Sequence, residues 1–321
     1  MSVAQRVPET WELSGDDARE TLRTTGRMKL VRDAFVRFRV SDGFSHARSL
    51  AFVISLLLVQ GFIVLVGLAA ALGDTDVSGT IVRTIQEVVP GPAGKALTQA
   101  VFRAYVTGAS GQYVVLAVVG VAALITGTTL MGQVERAMNR LYGIEQDRPT
   151  LQKYGRALLL ALTSGVLAIA SFAMFAVGHG IGQGIGNGTV GGAWRVVRWP
   201  LAFILMAAAI ALLFRAAPNR HQPAWSWLAF GSTVSVVLWS LATLGLGVFF
   251  QANTTFSTTY GPLAGMIALL LWALLSSVAI LFGAAIAAQL EAVRAGAPTP
   301  RDATKADEAP HPAGARALVA R

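Results

Sequence analysis

The run Gly178-His179-Gly180-Ile181-Gly182-Gln183-Gly184-Ile185-Gly186-Asn187-Gly188 is the pattern in this sequence that most invites a chemical reading. With Gly191 it completes a G-x-G-x-x-G match at Gly186, Gly188 and Gly191. Dinucleotide binding needs such a match between a strand and a helix, so that the pyrophosphate meets a helix N-terminus. Here the run follows a long apolar stretch, and no βαβ unit surrounds it. A flexible outer loop, or a small-residue edge along which helices approach closely, fits better. Other chemistry-bearing residues are scattered. His46, His179, His221 and His311 never pair at metal-ligand spacing, Gly94-Lys95 lacks the rest of a phosphate-binding loop, and no G-x-S-x-G elbow occurs. Cysteine is absent, which removes disulfides, thiolate metal sites and cysteine nucleophiles. No catalytic, metal or cofactor-binding residue is expected, and the sequence reads as that of a non-enzyme.

The elements that carry these residues explain the sparseness. Hydrophobic residues make up 54% of the chain and charged residues 13%, about half the charged share usual in soluble domains. A membrane span needs about 20 mostly apolar residues. Six stretches qualify: Ser49–Leu72, Gln112–Met131, Ala157–Val177, Trp199–Phe214, Trp227–Phe250 and Leu263–Ile286. None contains Asp, Glu, Lys or Arg. A charge at mid-bilayer costs about 2.5–3.5 kcal/mol and is kept mainly for ion or proton pathways, so a carboxylate-driven pump is disfavoured. Gln60 is the most notable polar group deep in a span, and a helix-to-helix hydrogen bond is its ordinary role. The predicted class is an all-α membrane protein of six transmembrane helices.

Lys and Arg set the orientation. With both ends inside, the cytoplasmic segments carry 21 and the outer segments 5, and trimming the tails to their membrane flanks leaves 14 against 5. The expected location is the bacterial inner membrane, with N- and C-termini cytoplasmic. Arg48 at the inner end of the first span is a topology anchor, and Trp194, Trp199, Trp225 and Trp227 sit at span ends as interfacial aromatics.

Three segments flank the spans. Residues 1–43 form a cytoplasmic N-terminal segment in which Leu30, Ala34 and Phe38, beside Val31 and Phe35, are interleaved with Arg27, Lys29, Arg32, Arg37 and Arg39. That pattern fits a basic helix on the inner leaflet, with packing on the protein's own cytoplasmic loops as the alternative. Residues 44–293 are the six-span domain, and 294–321 a cytoplasmic tail whose Ala, Pro and charge content predicts disorder from Ala297 onward. Between the first two spans, Ile81, Ile85 and Val88 share one helical face, Pro90-Gly91-Pro92 interrupts, and Leu97, Val101 and Ala104 begin a second stripe. Two short amphipathic helices at the outer leaflet are expected there. The halves show no self-similarity of the transporter type.

The stretch Phe214-Arg215-Ala216-Ala217-Pro218-Asn219, then Tyr260-Gly261-Pro262-Leu263-Ala264, Leu271-Trp272 and Gly283-Ala284, resembles the YihY/BrkB family of bacterial inner-membrane proteins. The resemblance is sharpest over 214–293 and extends weakly to Ala47, Ser49, Leu50, Ala51 and Phe52. It implies six spans with termini inside. It marks Arg215, Pro218, Asn219, Tyr260, Gly261, Trp272 and Gly283 as candidate functional or structural positions. The sequence departs from the family at Gln60, where proline is frequent, and at Ala285, where glutamate is frequent. Members of the family have carried a ribonuclease BN label regarded as a misassignment, and some are linked to serum resistance or envelope lipid export. Two functions are then weighed: a transporter-like or flippase-like protein for an amphipathic envelope molecule, and a non-transporting scaffold for envelope assembly. The expected partners are the lipid bilayer, an envelope lipid or amphipathic substrate, and a second copy or membrane partner protein. Nucleic acid is not expected as a partner, and ribonuclease activity is disfavoured by the lack of clustered metal ligands.

Overall fold

Hydrocarbon cannot hydrogen-bond a backbone, so apolar stretches of this length must close their hydrogen bonds within themselves as helices. The computed structural model describes residues 4–71, 76–184, 189–253 and 255–301; at 76, 77, 80, 172–184, 189–195 and 262 it gives the backbone path. Among the described residues, eleven α-helices follow in chain order: α1 Gly15–Thr25, α2 Arg27–Val40, α3 Gly43–Ala71, α4 Asp76–Val88, α5 Gly91–Ala109, α6 Tyr113–Leu141, α7 Thr150–Gly184, α8 Thr189–Ala216, α9 Trp225–Ala252, α10 Phe256–Tyr260 and α11 Ala264–Arg294. A single 3₁₀ turn, Gly261–Leu263, joins the last two. Six helices, α3, α6, α7, α8, α9 and α11, are long and apolar enough to cross a membrane. This is the architecture expected from the sequence.

Length has a consequence here. α3 and α6 each have 29 residues and so extend about 40 Å, against a hydrocarbon core of about 30 Å. The helices therefore project beyond the lipid, and their projecting turns carry polar side chains such as Glu135, Asn139 and Glu291. Along their middles, Leu65, Leu68, Val118, Val121, Ile125, Leu159, Leu241 and Leu244 are exposed. An apolar belt of that extent is a lipid-facing surface.

α11 is the axis of the bundle. It packs against α9, α3, α5 and α2, and residues 283–292 are all buried. Small residues make this possible. A Cβ placed on Gly231 of α9 would lie 2.8 Å from the Ala287 Cβ and 2.9 Å from the Gly283 carbonyl oxygen of α11, so the backbones touch as in small-residue membrane crossings. Two cores flank this crossing. One, at the end that bears both the N- and C-terminal segments, contains Phe38, Met138, Leu141, Phe214, Trp227 and Leu290. The other, at the opposite end, contains Val66, Leu97, Val101, Leu246, Phe250 and Trp272.

Several expectations change. Two helices follow the first span, α4 and α5, and Ile85, Val88, Leu97, Val101 and Ala104 are buried against the protein. In α2, Leu30, Ala34 and Phe38 pack into the terminus-end core beside α11, whereas Met28, Val31 and Phe35 are exposed. The buried stripe thus covers the protein's own helices, and Arg37, read as one of the basic residues of a helix on the inner leaflet, is wholly buried. Trp227 is likewise buried, at 1% exposure, because it sits one turn inside α9 beneath α1; Trp199 and Trp225 remain at the surface. Trp194 lies outside the described side chains. The glycine run is not a loop at its start, since α7 stays helical through Gly184. Residues 297–301 of the tail are held: Gln289 Nε2 donates to the Pro298 carbonyl at 2.7 Å, Gln5 N to the Pro300 carbonyl at 3.1 Å, and Ala4 bridges Arg301. The remainder, from 302, lies outside the described residues.

Candidate functional site

Charged side chains on the projecting turns cannot stay unpaired where the bundle closes, and they assemble into two networks at the terminus-bearing end. In the first, Arg220, from the turn between α8 and α9, meets Glu291 of α11 at 2.6 Å, with side chains 2% and 0% exposed. Thr10 Oγ1 donates to the same carboxylate oxygen at 2.7 Å, and the Arg220 guanidinium lies 4.7 Å from the Tyr142 ring centre. Arg37 Nε donates to Gln289 Oε1 at 2.8 Å, and its Nη1 to the carbonyls of Gln5 and Leu141 at 2.9 and 3.2 Å. Burial lowers the Arg37 pKa to about 10, which leaves it charged at neutral pH. Burial, reinforced by the Glu291 charge, pushes the Tyr142 phenol far above its ordinary range. Three buried atoms of this network have no hydrogen-bond partner among the described residues: Arg37 Nη2, Arg220 Nη1 and Glu291 Oε2.

The second network reads the turn after α8. Arg148 pairs with Glu135 at 3.2 Å, both nearly buried, and donates to the carbonyls of Ala217 and Pro218 at 2.8 and 2.6 Å. The backbone N–H of Asn219 donates to Asn139 Oδ1 at 2.8 Å, while Asn139 Nδ2 donates to Asp147 at 3.0 Å. Lys153 Nζ reaches Asp147 at 2.8 Å. Burial alone would raise the Asp147 pKa, but hydrogen bonds from Lys153 and Asn139, with the Lys153 and Arg136 charges, hold it below the usual value.

Between the first turns of α7 and the last turns of α8 lies a groove of two adjoining clefts, of about 550 and 500 Å³, that share Arg156, Leu212 and Ala216. The membrane-facing cleft is lined by Leu159, Leu160 and Thr163. The other is lined by Trp11, Arg215, Arg220, Gln222 and Trp225. Arg215 is fixed by a 3.2 Å hydrogen bond to the Pro223 carbonyl and by stacking 4.9 Å from the Trp225 ring centre. The groove is thus apolar on one side and cationic on the other.

The positions singled out in the sequence fall in separate places. Arg215, Pro218 and Asn219 come together at the groove and its supporting turn. Tyr260 and Gly261 stand at the opposite end, where Tyr260 packs on Phe256 at 4.8 Å and Gly261 takes φ +51°, a turn open to glycine at little cost. Trp272 donates through Nε1 to Thr243 at 3.1 Å inside the second core, and Gly283 forms the α9–α11 crossing. Gln60 leaves Oε1 buried without a hydrogen-bond partner among the described residues, so the expected helix-to-helix bond through that atom is not formed. Ala285 is fully buried in the terminus-end core. Sequence reasoning missed Arg37, Glu135, Arg148, Arg156 and Glu291. One signal for Glu291 was there: with Arg220 it brackets a stretch free of Asp, Glu, Lys and Arg. Among the described residues, no group of three or more His, Asp or Glu is placed to hold a metal ion.

Six apolar helices with a lipid-facing belt and charges confined to projecting turns define a multi-pass bacterial membrane protein. The family model described as Virulence factor BrkB matches residues 34–309, and the chain belongs to that family. It is 31% identical over 280 residues to a UPF0761 membrane protein of Methylibium petroleiphilum, covering 84% of this chain and 64% of that one. It is 28% identical over 305 residues to a UPF0761 membrane protein of Rhodospirillum centenum, covering 88% of this chain and 63% of the relative. It is also 22% identical over 271 residues to the ribonuclease-like protein YfkH of Bacillus subtilis, covering 82% of this chain and 95% of YfkH. The chain thus spans nearly all of the Bacillus relative but less than two thirds of the length of the other two. No solved structure matches the chain.

Proposed function

We propose that this protein handles an amphipathic envelope lipid in a transporter-like or flippase-like manner, admitting it at the α7–α8 groove. One observation carries the reading: a single groove offers leucines on the lipid-exposed side and arginines at the terminus-bearing end. A molecule with an apolar body and a polar head fits both halves at once. The Lys and Arg bias supports a cytoplasmic position for that end of the bundle, from which the lipid would enter through the inner leaflet. No bond making or breaking is assigned to the groove, and the reading is not enzymatic.

Reconstitution into vesicles with labelled lipids in one leaflet tests this. Protein-dependent movement of at least one envelope lipid is the expected result. No movement across a panel of such lipids, together with recovery of one constant crosslinked partner, would replace the reading with the second one, a non-transporting scaffold. That alternative draws on the stripe Met28, Val31 and Phe35 of α2, which stays exposed among the described residues.

A further inference from the structure

Building on the lipid reading, we propose that the groove is a headgroup site for an anionic phospholipid. Arg156 and Arg215 take its phosphate, Arg220 behind them adds positive charge, and Leu159, Leu160 and Leu212 take the first carbons of its chains. The clefts are lined by three arginines and by no aspartate or glutamate. Arg156 is exposed and has no hydrogen-bond or ion-pair partner among the described residues. Arg215 is already oriented by Pro223 and Trp225, so its planar fork loses little freedom on meeting an oxyanion. Arg220 adds a third charge from behind the wall: its side chain is 2% exposed, with Nη2 held by Glu291 and the Pro8 carbonyl, and Nη1 is buried without an acceptor among the described residues.

Two features select a lipid over free phosphate. Each cleft, at about 500 Å³ or more, far exceeds one phosphate. The apolar wall also runs from Arg156 to Thr163, about 10 Å of helix rise, toward the exposed leucines of α7. Charge selects the anionic class. A zwitterionic head would bring its own cation against three guanidinium groups, of which Glu291 compensates one. Trp11 and Trp225 at the mouth match the amphipathic headgroup level.

The test uses the full chain in nanodiscs and native mass spectrometry, with phosphatidylglycerol and phosphatidylcholine as probes and Arg220 left intact. Phosphatidylglycerol should be retained about tenfold more strongly than phosphatidylcholine, a margin typical of one well-placed charge contact. The Arg156→Ala/Arg215→Ala variant should lose that margin, and Arg156→Lys/Arg215→Lys should regain part of it. Leu159→Trp/Leu212→Trp should expel the lipid by filling the apolar half. Equal retention of both lipids, or an unchanged preference in the double alanine variant, would overturn the proposal. So would displacement by millimolar inorganic phosphate combined with indifference to the leucine changes, since that pattern marks a phosphate site. Selective retention without vesicle transport would leave this site standing and remove the transport reading; transport without selectivity would do the reverse.

Discussion

Arg220 and Glu291 are 71 residues apart in sequence and 2.6 Å apart in space, each almost wholly out of water. Removing one partner of such a pair leaves an uncompensated buried charge, at a cost of about 3–5 kcal/mol. Arg220→Ala should therefore lower the thermal midpoint of the detergent-solubilised protein sharply, and Arg220→Met with Glu291→Leu should recover much of the loss. Failure of the double variant to outperform the single one would show that the pair acts through something other than charge balance. Asp147 gives a pH dependence of known sign. Its folded pKa lies below 3.8, so its pairing with Lys153 and Asn139 stabilises fully above that value and fades as pH falls through the folded pKa. The acid limb of a midpoint-versus-pH curve should be shallower in Asp147→Asn, with no difference between the two proteins' slopes at about pH 6–8. At this scale little was legible beforehand. Arg220 and Glu291 are visible as the ends of a charge-free stretch, but periodicity within a helix cannot reveal which distant turn will lie against it. Arg37 was placed on the inner leaflet because its spacing with Arg32 and Arg39 along a basic amphipathic helix suits lipid headgroups as well as it suits burial.

Helices behaved differently. Twenty consecutive apolar residues have one stable solution in lipid, which is why all six long helices could be read from the sequence. Their ends could not. α6 continues ten residues past the predicted span because Val134, Ala137, Met138 and Leu141 keep an apolar stripe facing the core. Likewise α2 took its place from a stripe that also suits a membrane surface; its apolar spacing is the same whether the cover is lipid or α11. The α9–α11 crossing gives a prediction at this scale. Gly231→Leu would drive a side chain into Ala287 and the Gly283 carbonyl and separate the two backbones. Overpacking of this kind costs about 1–3 kcal/mol. Such a variant should lose thermal stability in detergent while a leucine at Gly155, where a Cβ meets nothing within 4 Å, should not.

Across the whole molecule, the N-terminal residues form a strap over the terminus-bearing end. Gln5 meets Pro300, Val7 N donates to the Tyr142 carbonyl at 3.1 Å, Arg220 Nη2 donates to the Pro8 carbonyl at 2.9 Å, and Ala224 N donates to the Leu13 carbonyl at 3.2 Å. Removing residues 1–13 should expose Arg220 and Glu291 to water and speed proteolysis in the turns at 142–149 and 217–224. Limited proteolysis of proteoliposomes would show this, and an unchanged cleavage pattern would mean that the strap covers nothing of consequence. Nothing in the strap's own composition announced this role, because its partners are the Tyr142 and Pro300 carbonyls, the Ala224 N–H and the side chains of Arg37, Arg220 and Glu291, all supplied from distant parts of the chain.

The strap also imposes an order on biogenesis. Residues 4–14 leave the ribosome well before their anchors at 289–301. They must therefore wait, unclasped, while six helices enter the bilayer. A chain stalled before α11 would keep Arg37 and Arg220 without Gln289 and Glu291, two cations short of the partners that close this face once α11 is in place.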